Sequence, residues 1–136
     1  MTERRTFPNV SASVTAARRF ATNAVAGAPP AVAEAVAIAV SELATNCVRH
    51  AGTAFTVDID QTPDELRVAV ADSGEGWPVL RSPQPAELSG RGLVLVRALV
   101  DDWGIDVPPD HKGKTVWFTM RLSQRRHGAL EDADTA

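Results

Sequence analysis

The chain has 136 residues, 44% of them hydrophobic and 23% charged, with a formal net charge of -3. That length supports one domain with a real core and is short for two. The composition excludes a disordered chain, and the mildly acidic balance disfavours direct binding to nucleic acid or to an acidic membrane surface.

The elements follow in chain order. MTERRTFPNV carries arginines with no apolar stretch behind them, so no signal peptide is expected, and residues 1–9 read as an extension before the domain. Residues 11–26 suit a first helix, with Ser11 or Ser13 as N-cap and Val14, Ala17, Phe20 and Ala21 near one face. Gly27-Ala28-Pro29-Pro30 stops it and starts a second helix, from about Ala31 to Arg49. Val32, Val36, Val40, Leu43 and Cys47 form its apolar arc, and Glu42 and Asn46 stand together at the edge of that arc. The run is interrupted by Glu34 and Glu42 and is read as too short to span a bilayer. Cys47 is the sole cysteine, so no intrachain disulfide forms and a reducing cytoplasm is the expected compartment.

After Gly52 the period becomes two: Phe55, Val57 and Ile59 alternate with polar residues, and Leu66, Val68 and Val70 follow a turn at Gln61–Asp64, predicting a hairpin that ends at Asp72. Residues 73–91, rich in glycine and proline, read as a long loop. A third helix begins near Gly92, with Leu93, Val96, Leu99, Val100 and Trp103 on its buried face; Ile105 and Val107 suggest a short strand. Residues 115–122 form the last strand, and residues 123–136 a disordered tail. The order predicts an α/β (α+β) two-layer sandwich, helices on one face of a mixed, mostly antiparallel sheet, with the domain at residues 10–122.

Three clusters interrupt this pattern at element ends. Glu42 and Asn46, four apart, share one helical face and offer a carboxylate and an amide oxygen to one volume. Such oxygens suit a hard cation such as Mg²⁺, and a carboxylate can accept a proton from a hydroxyl. DSGEGWP (72–78) ends a strand with a carboxylate followed by Gly74 and Gly76, which allow a flat ligand close to the backbone. SGRGL (89–93) opens a helix with glycines whose free N–H groups suit an anion, beside the cation Arg91. Read alone, each is ordinary: a solvated helix edge, a strand-ending turn, a hinge with a cap. Neither G-x-G-x-x-G after a first strand nor G-x-x-x-x-G-K-[ST] is present.

In order, SELATNCVRHA, VADSGEGWP, SGRGLVLVRALVDDWG and GKTVWF resemble the N box, the two glycine boxes and the final strand of the GHKL-type ATPase/kinase superfamily, which includes gyrase, histidine-kinase catalytic domains and mismatch-repair ATPases. The short chain is similar to its stand-alone anti-sigma-factor serine/threonine kinase branch, over roughly residues 10–122. The resemblance implies a Bergerat-type sandwich holding ATP and Mg²⁺ under a lid, here residues 77–89. It implies that Asn46 coordinates Mg²⁺, Glu42 acts as general base and Asp72 accepts the adenine amino group. Gly74 and Gly76 would admit the purine, Gly90 and Gly92 (with Leu93 closing the motif) would face the phosphates, and Thr115 would lie near the adenine. Arg91 is added as a phosphate contact on its chemistry.

The partners implied are an anti-sigma-factor antagonist protein as substrate, a sigma factor for the unbound kinase, and a second copy in a homodimer. The main competing class is an ATP-binding partner-switching module that transfers no phosphate. A detached histidine-kinase catalytic domain is disfavoured, because nothing resembles a histidine-bearing dimerisation helix. His50 reads as a partner of the helix C-terminal dipole and His111 implies no metal site; Trp77 suits either shielding the purine or anchoring the lid, and Trp103 and Trp117 suit the core or a dimer face.

Overall fold

A computed structural model of the chain describes residues 1–74, 92–110 and 112–122. Strands β1 (Thr2–Phe7), β2 (Phe55–Gln61), β3 (Glu65–Asp72), β4 (Asp102–Asp106) and β5 (Lys114–Arg121) form one five-stranded sheet in the order β1-β2-β3-β5-β4. Every pairing among them is antiparallel, so the expected mixed character is absent from the described sheet. Helices α1 (Ala12–Ala24), α2 (Pro30–Asn46) and α3 (Gly92–Leu99) supply the second layer, and the fold is the expected α+β sandwich.

Register assigns the faces. Val57 lies opposite Val70, and Val70 opposite Val116; Ile59, Val68 and Phe118 form the next row. All six are buried, so this face packs on the helices. Val36, Ala39, Val40 and Ala44 of α2 are fully buried against it, and small alanines allow close approach of helix to sheet. Truncating a buried aromatic such as Phe118 to alanine should cost about 3–5 kcal/mol.

Three sequence expectations change. The first segment is not an extension: residues 2–7 are an edge strand paired with β2 from Thr2↔Asp60 to Phe7↔Phe55. Its hydrogen bonds run to a neighbour, so only Phe7 needs burial, where it stacks on Phe55 at 5.5 Å and meets Phe20 edge-on at 6.0 Å. Trp103 belongs to β4, because Asp101 N–H donates to Thr119 O and draws the chain into the sheet before another helical turn forms. Helix α2 continues through one π turn, Cys47–Ala51, and the whole 22-residue run is long and apolar enough to cross a bilayer by length and composition alone. Here its apolar stripe is the inner face of the core.

Candidate functional site

The α-helical pattern stops at Asn46, and the π turn carries the chain to Gly52, whose φ of 76° is a left-handed cap. Asn9 reinforces this end by donating from Nδ2 to Cys47 O (3.1 Å) and Thr53 O (2.9 Å). The turn delivers the Ala51 carbonyl against Gly74, where any Cβ would collide with that oxygen. Gly74 is therefore required by packing between the helix end and the end of β3, whatever else passes over it.

A second glycine closes the other side. Gly113 has φ 85°, donates its N–H to Gly74 O, and sits where a Cβ would strike the Asp72 carbonyl. Between these two glycines stands Asp72, its side chain 2% exposed. Oδ1 accepts the Gly74 N–H at 3.1 Å, and Oδ2 accepts from Lys114 Nζ at 3.0 Å. Asp72 and Lys114 face each other across β3 and β5, in the row that continues Val70 and Val116. The ion pair thus lies on the helix-facing side, at the end of the core.

Cys47, the residue after Asn46, links this carboxylate to α2. Burial first, then the negative charge of Asp72, pushes its thiol up to about 12, with Lys114 opposing. Cys47 is thus a protonated, packed group, as its place on the apolar arc predicts. Glu42 and Asn46 lie on the same stripe of α2 as Ala35 and Ala39. The alanines are buried, whereas Glu42 and Asn46 are half-buried, and neither polar side chain has a hydrogen-bond partner among the described residues. The stripe turns from core to accessible polar surface as α2 nears Asp72.

The sequence-derived residues divide accordingly. Glu42 and Asn46 occupy one helical stripe, and Asp72 and Gly74 occupy the adjoining strand end. Gly92 and Leu93 form the first turn of α3. Gly76, Gly90 and Arg91, with the expected lid at 77–89, lie outside the described residues. Thr115 departs from expectation: it pairs with Ala71, so it shares the outer face with Trp117 rather than the inner face with Asp72. The residue that does meet Asp72 is its neighbour Lys114, which sequence reasoning passed over. A lysine between a glycine turn and a strand reads as surface, and only the β3–β5 register reveals it.

The geometry agrees with what comparison shows. A sequence model of the histidine kinase-like ATPase domain family matches residues 7–120, and the chain belongs to that family. The domain is accordingly an ATP-binding one of the GHKL type. No curated protein matches the chain.

Proposed function

We propose that the protein is a serine/threonine protein kinase that transfers the γ-phosphoryl group of ATP to a hydroxyl of an anti-sigma-factor antagonist protein. In the unbound state it would sequester a sigma factor, working as a homodimer in the cytoplasm. The observation that carries this reading is the pairing of two sites at one end of the fold: a buried carboxylate, Asp72, and on the adjoining helix a Glu42/Asn46 pair with no hydrogen-bond partner among the described residues.

Each residue has a distinct task. Asp72 keeps acceptor positions for an exocyclic amine, since a carboxylate has about four lone-pair sites and the described residues use two. Gly74 donates its N–H to Oδ1 and so fixes the carboxylate's place at the strand end. Glu42, a carboxylate with no competing hydrogen bond among the described residues, accepts the proton of the attacking hydroxyl.

No cluster of three or more His, Cys, Asp or Glu is present among the described residues, which fits a cation held jointly with phosphate rather than in a protein cage. Asn46 Oδ1 is the protein oxygen that would hold Mg²⁺, whose chemistry is to neutralise phosphate charge as it shifts. The Glu42 carboxylate separates kinase from binding module. Radiolabel from γ-labelled ATP should appear on an anti-sigma-factor antagonist protein. With Glu42→Ala, transfer should fall roughly 100-fold or more at unchanged nucleotide saturation. Tight ATP binding with no transfer to any candidate antagonist would favour the partner-switching module instead.

A further inference from the structure

Among the described residues, Lys114 is the cation paired with Asp72 at the end of the core, and it has work left to do. Its side chain is 12% exposed, so it is not a snorkelling surface group. One N–H direction is used on Asp72 Oδ2 at 3.0 Å, and the other two meet no acceptor among the described residues. Asp72 in turn accepts one hydrogen bond on each oxygen from the described residues, leaving a second lone pair on each. The strand end therefore presents an acceptor and a donor side by side, held by the Asp72↔Lys114 register and by the two glycine contacts beneath.

We propose that Lys114 is a base-reading residue of the ATP site, donating to ring nitrogen N1 of adenine while Asp72 accepts from the 6-amino group. The proposal rests on the ATP-site reading above. Adenine carries its amino donor and its N1 acceptor on either side of one ring carbon. An acceptor and a donor 3.0 Å apart match that edge in order and in spacing. A phosphate contact suits Lys114 less well, because the Asp72 carboxylate already neutralises it at the buried strand end. Recognition is then a two-point contact, in which a base lacking either group forgoes one of the two hydrogen bonds.

The test is a cycle of two ligands and two proteins. ADP and 1-deaza-ADP, in which N1 is replaced by C–H, are titrated calorimetrically into the wild-type chain and into Lys114→Met. The wild type should bind 1-deaza-ADP roughly tenfold or more weakly than ADP, the scale of one hydrogen bond to a charged group. Lys114→Met should bind both ligands alike, near the wild-type affinity for the deaza analogue. A lysine that merely orients Asp72 would leave the tenfold preference for ADP intact in Lys114→Met, and that result overturns the proposal. Equal affinities in the wild type overturn it too, and need no variant should Lys114→Met fail to fold. Absence of ADP binding to the wild type would instead remove the ATP-site reading and this proposal with it.

Discussion

Arg4 and Asp58 form an ion pair across β1 and β2 on the outer face of the sheet, with side chains 71% and 27% exposed. Lys114 and Asp72 form another across β5 and β3 on the helix-facing side, 12% and 2% exposed. The outer pair is fork-like, Nε to Oδ1 and Nη2 to Oδ2, and the hydrogen bond to Asp58, followed by its charge, raises the Arg4 pKa. Water screens it, and its use is to keep an edge strand charged and unattractive to further strands. The inner pair has lost its water, and a buried pair of charges stabilises no better than apolar residues of the same volume. On the proposal made above, its use is to offer a nucleotide a buried acceptor and donor. Equal chemistry on two faces of one sheet thus has two meanings, and burial separates them.

Substitutions can break that contrast. The largest expected effect is Asp72→Asn, which leaves Lys114 without its counter-charge in the core. Urea unfolding should show a loss of about 3–5 kcal/mol with the chain still folded in buffer. A midpoint equal to wild type would place the inner pair in the same class as the outer one. Gly74→Ala forces a methyl against the Ala51 carbonyl and should cost about 1–3 kcal/mol by the same measurement. No loss there would mean that the π turn and the end of β3 are not rigidly joined.

Cys47 reports on the same neighbourhood through pH. Its folded pKa lies above that of an unfolded thiol, so its contribution to stability is complete below about pH 8.5 and is lost as pH rises toward 12. Native Cys47 should therefore resist alkylation at mildly alkaline pH and react once the chain is unfolded; rapid native labelling would contradict its burial beside Asp72. The smallest effect belongs to Arg4→Met, which should leave the urea midpoint where it is. A fall comparable to that of Gly74→Ala would show that the outer pair is not screened.

Much of this was legible in the sequence where burial writes a period. The alternation in residues 55–59 and 66–70 gave the central hairpin, and the arc from Val32 to Cys47 gave α2. Strand β1 was invisible because TERRTF buries one side chain and is otherwise held by pairing, which leaves no apolar pattern. Trp103 reads as helical because the apolar spacing of residues 93–103 runs past the point where Asp101 joins the sheet. At the site, Glu42, Asn46, Asp72 and Gly74 stood out because polar or glycine residues broke an apolar period. Lys114 broke none. A one-residue step along β5 exchanges the two faces of the sheet, so only cross-strand register decides between Thr115, which the family resemblance implies, and Lys114.

The claim on which the rest depends is that nucleotide binds at the Asp72 end of the fold, with the Glu42 carboxylate serving chemistry rather than affinity. Calorimetric titration of ATP with Mg²⁺ into wild type, Asp72→Asn and Glu42→Ala tests it directly. Glu42→Ala should bind within a few-fold of wild type, while Asp72→Asn, folded by circular dichroism, should bind roughly 100-fold more weakly. Unchanged ATP affinity in Asp72→Asn would contradict the site.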